Sequence, residues 1–134
     1  MKGNEKRTSN NEQRYMHELS IAQGMMANLR PWLDDQPEDL RVLKIVVKAG
    51  PFRAVVPDAL IFAWEVVRNE HPKTAGSVVE VDASFIEVKC RACGESWNAE
   101  RAVFKCPKCG SDNLEFGGGN ELFIEKIETN EKNM

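Results

Sequence analysis

The sequence predicts an α+β fold, two helices on a mixed three-stranded sheet, interrupted by a small cysteine-rich insert. Three observations predict it. Apolar residues recur at helical spacing in two stretches and alternate at strand spacing in others. All four cysteines of the 134-residue chain fall between Cys90 and Cys109. An apolar strand, "NELFIEKIE", follows them, so the chain leaves its first unit near residue 85 and returns near residue 118 to complete the sheet.

Length and composition fit one domain carrying an insert. Hydrophobic residues form 42% of the chain, enough for a modest core, and the net charge is -3. That charge lacks the basic excess of a nucleic-acid or membrane-surface binder. No apolar run approaches the roughly 20 residues of a membrane span. "MKGNEKRTSNNEQRY" carries charge but no apolar stretch, so it is not a secretory signal. A cytoplasmic location is expected, where thiols stay reduced. The cysteines then need a purpose other than disulfides.

Residues 1–15 are polar and are expected to be a disordered tail or a product of start-site choice. From residue 16 Leu19, Ala22, Met25, Met26, Leu29 and Leu33 line one helix face. At that spacing Met25 and Met26 read as core rather than soft metal ligands. Pro31 should kink or end the helix, and "DDQPED" is a loop. In "LRVLKIVVKAG" Leu43, Ile45 and Val47 point one way, and Lys44 and Lys48 the other with Val46 between them. Gly50-Pro51 breaks this strand. Pro57 suits the first turn of a second helix, "PDALIFAWEVVRNE", with Leu60, Ala63, Trp64 and Val67 as its buried stripe. "HPKTAG" ends that helix, and His71 within it is read as a solvated loop residue. "SVVEVDASFIEVKC" is strand-like, with a bend between Val81 and Ile86. A flexible "GGG" at 117–119 precedes the last strand. The expected division is thus 16–84 with 118–128 for the α+β unit, 85–117 for the insert, and a polar tail over 129–134.

The insert reads "CRACGESWNAERAVFKCPKCG", a Cys90-x2-Cys93 pair, twelve residues, then Cys106-x2-Cys109. Zn(II) takes four ligands in a tetrahedron, and a two-residue gap lets both sulfurs of a pair reach one ion. Gly94 and Gly110 permit the tight turn after each pair. The twelve intervening residues can form a hairpin that faces one pair with the other. This spacing points to a zinc ribbon. A pair of redox motifs would want a thioredoxin-like βαβ context, which is missing. Four protein sulfurs leave no open position, so the zinc is structural and helps fold the segment. Residues 85–116 hold five basic and five acidic residues, and four thiolates on Zn(II) add negative charge. Phosphate binding draws on surplus cationic charge, so nucleic acid is not the expected partner. Trp97 and Phe104 read as packing residues. No Ser/His/Asp set, phosphate-binding glycine loop or open metal site is apparent, so the chain is not expected to be an enzyme.

His17, alone, reads as a surface residue near a helix start. Its surroundings say more. "MHELSIAQGMM", then "VKAGPFRAVVPDALIFAWEVV", then "CRAC…CPKC" and a strand ending "IEKIE" occur in that order. Together, over residues 16–128, they resemble the HypA/HybF family of nickel incorporation proteins for NiFe hydrogenase. The resemblance implies a nickel metallochaperone with an inserted structural zinc domain. Such a protein works with a HypB-type GTPase and delivers Ni(II) to the hydrogenase large subunit; whether it forms a homodimer stays open. The family histidine that follows the methionine maps onto His17, the principal nickel ligand. The next glutamate maps onto Glu18, which supports the site through its position and backbone. The zinc cysteines map onto Cys90, Cys93, Cys106 and Cys109. Ni(II) accepts imidazole and other nitrogen donors and is not drawn to tetrahedral sulfur. In the family the methionine is residue one and its amine can join the nickel. Here fifteen residues precede Met16. Translation from Met16 is the preferred reading; otherwise Met16 offers an amide, and the site is reshaped. A zinc-ribbon interaction module without nickel delivery is the alternative function.

Overall fold

A computed structural model describes residues 2–131, with side chains from His17 onward. The elements are α1 (Lys2–Asp34), β1 (Val42–Ala49), α2 (Pro57–Val67), β2 (Val78–Ala83), β3 (Ile86–Cys90), β4 (Ser96–Ala99), β5 (Leu114–Gly118) and β6 (Leu122–Thr129). Short 3₁₀ turns lie at Pro51–Arg53 and Arg68–Glu70. Two three-stranded sheets form, ordered β2-β1-β6 and β4-β3-β5. The fold is α+β with two helices, as the periodicity predicts. Residues 1 and 132–134, parts of the two expected tails, lie outside the described residues.

The chain divides into two compact units. One comprises Met1–Val46, Val56–Glu80 and Ile124–Met134; the other comprises Val47–Val55 and Val81–Phe123. The second unit takes in the cysteine segment together with the Gly50-Pro51 break that precedes α2.

In the first unit α1 packs against α2. Their facing stripes are buried: Ala22, Met25, Met26, Leu29 and Leu33 on one, Leu60, Ala63, Trp64 and Val67 on the other. The α1 helix begins at Lys2, before the expected start, and runs through Pro31 to Asp34. Beyond Gly3 the stretch before residue 16 holds no proline or glycine to stop it. Pro31 removes one backbone N–H within the last turns, and carbonyls left without a helical partner at the helix end and just past it find another donor. Lys73 Nζ donates to Leu33 O at 2.6 Å and to Gln36 O at 2.8 Å.

That lysine belongs to "HPKTAG", and here the solvated reading of His71 is corrected. His71 is only 7% exposed. Its Nδ1 accepts the Lys73 N–H at 3.1 Å, which leaves Nε2–H to donate to Asp34 Oδ1 at 3.0 Å. Trp64 Nε1–H donates to Ser77 Oγ at 2.9 Å, and Ser77 Oγ donates to Thr74 O at 2.6 Å. Proline and glycine mark this loop as irregular, but its polar groups are spent inward on the ends of α1 and α2.

The central strand β1 is buried on both faces: Ile45, Val47 and Ala49 on one, Val42 and Val46 on the other. Leu43 shares the face of Ile45 and Val47, as expected, but near the start of the strand it is 51% exposed. Lys44 lies between Glu80 of β2 at 3.3 Å and Glu128 of β6 at 3.9 Å. Opposite charges on neighbouring strands suit this register.

In the second unit two chain segments cross closely. Gly50 N–H donates to Glu121 O and Phe52 N–H to Gly119 O, both at 2.8 Å. The expected flexible "GGG" is corrected: Gly117 pairs with Glu87 and Gly118 with Ile86 in β5. Gly119 lies at φ +88 and is held by its N–H to Glu121 Oε1 at 3.1 Å. A Cβ on Gly50 would stand 2.3 Å from both C and O of Gly119. Gly50→Ala is therefore expected to destabilise by more than the about 1–3 kcal/mol of ordinary overpacking, because backbone rather than a side chain must move. Urea titration measures this, and a midpoint equal to wild type would show that the crossing relaxes freely.

Candidate metal centres

The ribbon sheet is antiparallel, with β3 central. Val88 sits opposite Trp97 of β4 and opposite Phe116 of β5. Its core is small: Ile86, Val88 and Ala99, with Trp97, Val103 and Leu114 against them. Two matched knuckles continue from it. In the first, Gly94 N–H donates to Cys90 O at 2.9 Å and Cys90 N–H to Glu95 O at 2.8 Å. In the second, Gly110 N–H donates to Cys106 O and Cys106 N–H to Ser111 O, both at 2.8 Å. Gly94 and Gly110 take positive φ of 82 and 77. Each glycine turns the chain where a side chain would be strained.

The knuckles gather four sulfurs within 4.8 Å of one another. Cys90 Sγ lies 3.6 Å from Cys109 Sγ, and Cys93 Sγ lies 3.7 Å from Cys106 Sγ. All four cysteines are free thiols. A tetrahedron with Zn–S near 2.3 Å has sulfurs about 3.8 Å apart, so the cluster has the size of a zinc site.

The electrostatics favour a cation. The Cys93 backbone N–H, opposed by burial, draws the Cys90 thiol down to about 7. Cys93 is pushed up to about 12: the Glu95 N–H lowers it, but burial and the sulfurs of Cys106, Cys90 and Cys109 outweigh that. Cys109 is also raised, the Ser111 N–H being outweighed by burial and the Cys90 sulfur. One thiolate forms readily and then opposes its neighbours. A divalent cation removes that conflict, since four thiolates can share its charge. Lys108 N–H donates to Cys106 Sγ at 3.4 Å and softens the remaining charge.

In the first unit His17 and Glu18 sit on α1 and differ sharply. The His17 side chain is 51% exposed and that of Glu18 is 0% exposed. Glu18 Oε2 accepts the Val56 N–H at 2.8 Å, at the residue that precedes α2. His17 Nδ1 lies 3.7 Å from the same oxygen. Glu18 Oε1 is buried with no hydrogen-bond partner among the described residues. The burial of Glu18 and its hold on Val56 escape the sequence reading. A signal existed: Glu18 continues the stripe of Ala22, Met25, Met26, Leu29 and Leu33 by one turn. Among the described residues the cysteines are the one group of three or more metal-binding side chains gathered together. His71 is engaged with Asp34 and Lys73. No helix among the described residues is long and apolar enough to cross a membrane.

Residues 16–129 match the model of the family described as HypA, hydrogenase/urease nickel incorporation, metallochaperone. The hydrogenase maturation factor HypA of Desulfatibacillum aliphaticivorans is 31% identical over 113 residues, covering 84% of this chain and 86% of that protein. The factor of the same name from Syntrophus aciditrophicus (strain SB) is 32% identical over 106 residues, covering 79% and 91%. The solution structure of the Ni metallochaperone HypA from Helicobacter pylori has a similar fold, with TM-score 0.53 and 22% identity, covering 83% of this chain and 95% of that one.

Proposed function

The chain belongs to the HypA family, and from that premise we propose that it binds Ni(II) through His17, with Glu18 supporting the site, and delivers it to the large subunit of a NiFe hydrogenase. Zn(II) on Cys90, Cys93, Cys106 and Cys109 is structural. The protein acts in the cytoplasm with a HypB-type GTPase and catalyses no reaction itself. The α+β unit carries the cargo and the ribbon carries the fixed ion.

One observation supports this reading most: the family match opens at Met16, directly before His17 and Glu18, and takes in all four cysteines. The chemistry agrees. A closed tetrathiolate holds its ion, whereas an exposed imidazole with water around it exchanges its ligand. The ribbon also suits a protein partner better than a nucleic acid. Arg91 lies 4.0 Å from Glu115 and Lys108 lies 3.7 Å from Glu95, so these cations are partly neutralised at home.

The test is hydrogenase maturation in cells deleted for this chain and grown with limiting nickel. Large-subunit processing should fail, and excess nickel or the wild-type chain should restore it. Normal processing at limiting nickel would overturn the proposal.

A further inference from the structure

We propose that β6 is a contact between two copies of this chain, paired antiparallel about a two-fold axis at Ile127, so that Lys126 of each copy faces Glu128 of the other.

The topology opens the surface. In the order β2-β1-β6, β6 is an edge strand, with β1 on one side and no strand on the other among the described residues. It runs for eight residues, Leu122–Thr129. The outer edge of a strand is a row of N–H and C=O groups that can template another strand, and charged side chains are the common guard against this. β6 carries Glu125, Lys126 and Glu128. Their order selects one register of self-pairing and blocks its neighbours.

A two-fold axis perpendicular to the sheet makes the pair antiparallel and keeps the faces of each strand. The axis therefore passes through a residue that meets its own copy. Centred on Glu125, Lys126 or Glu128, the pairing sets like charges directly opposite, which destabilises it. Centred on Ile127, it sets Lys126 opposite Glu128 twice, Glu125 opposite Thr129, and Ile127 opposite itself. Lys126 Nζ lies 3.5 Å from Glu128 Oε2 within one chain, so the two share a face, and their side chains are 65% and 41% exposed. Two copies close these groups into a square of charges with alternating sign. Ile127 and Thr129 are half-buried, and Ile127 brings apolar surface to the axis.

The opposite edge shows the contrast. The β2 strand holds Glu80 and Asp82 and no cation. Centred on Val81 it sets Glu80 opposite Asp82, and centred on either acid it sets that acid opposite itself. Self-pairing is repelled there and matched at β6, which selects a second copy as the occupant of β6. The product is a continuous sheet ordered β2-β1-β6-β6-β1-β2. One strand pair buries less than a permanent dimer does, so the association is reversible and follows concentration.

The test uses the zinc-loaded full chain at low salt. Sedimentation equilibrium up to about millimolar protein reads the association, and amide ¹H–¹⁵N shifts over the same range locate it. The wild type should dimerise with rising concentration, with shifts along Ile124–Thr129 and none along β2. Lys126→Glu and Glu128→Lys should each raise the dimer dissociation constant about 10-fold or more, since two attractive pairs become repulsive. Glu128→Lys also loses its contact with Lys44 at 3.9 Å, but within one chain. Mixing the two variants separates these effects: Glu at 126 then faces Lys at 128, Glu128 faces Lys126, and a heterodimer should form at wild-type strength.

A wild type that stays monomeric at millimolar concentration overturns the proposal. So does a dimer whose shifts fall outside β6, as pairing through another surface would give, or a mixture of the two variants that fails to associate. Should a variant fail to fold, the wild-type association and shifts still decide.

Discussion

Stripping zinc from the protein, or replacing Cys106 with serine, is expected to unfold the ribbon formed by β3, β4 and β5. The reason is the size of its core. Ile86, Val88 and Ala99 are its buried apolar residues, and Trp97, Val103 and Leu114 only partly cover them. Cores of this size do not offset the entropy of ordering the surrounding loops. Structural zinc supplies an apparent ~10–16 kcal/mol at neutral pH in small zinc-binding peptides, more than enough to decide whether such a segment folds. Cys106 is the sharper substitution because its side chain is buried and accepts the Lys108 N–H. Serine there leaves three thiolates and a hydroxyl that binds Zn(II) poorly. Hydrogen exchange read residue by residue is the measurement. Val88 and Trp97 should lose protection on chelation and in Cys106→Ser, with zinc released in proportion. Acid acts in the same direction, because protons and the ion compete for the sulfurs. Full protection of Val88 in the stripped protein would show that the ribbon stands on its own packing.

How much of this was legible in the sequence depends on the kind of signal. The α1 and α2 stripes were legible because burial of a helix face imposes a period that apolar residues report directly. The four cysteines were legible because ligand spacing is local and the glycine after each pair is a geometric requirement. The burial of Val46 on the lysine face is not legible because alternation assumes one buried face, whereas β1 is a central strand buried on both. By composition the glycines at 117–119 read as flexible. Their order comes from non-local pairing with β3 and from the crossing at Gly50, which no local pattern encodes. His71 and Lys73 were missed for the same reason: their partners Asp34 and Leu33 lie 37 and 40 residues away. Glu18 is the intermediate case. Its position on the helix stripe was readable, but a carboxylate on an apolar face looks like an error in the pattern until Val56 is placed against it.

His17→Ala is expected to abolish specific nickel binding and to leave zinc content untouched. Affinity should fall by more than about 100-fold, since even outer partners of a metal-bound histidine are worth 10–100-fold and the ligand itself is worth more. The two proposed sites should separate cleanly, because their donors differ in kind and belong to different units. The proposed zinc site is four sulfurs around buried Cys90 and Cys106, and His17 stands 51% exposed on α1. Removing one imidazole from a helix surface disturbs no core contact, so thermal stability should change little. His71→Ala is the control with the opposite outcome. That ring is buried and bonded to Asp34 and Lys73, so its loss should lower stability without altering nickel affinity. Isothermal titration with Ni(II), with zinc quantified in each sample, reads both effects. The pH dependence has a fixed sign. An imidazole nitrogen binds a metal only when it carries no proton, so affinity falls as the solution is acidified and recovers when pH is restored. Equal nickel affinity in wild type and His17→Ala would place the cargo elsewhere on the chain and end the case for this histidine.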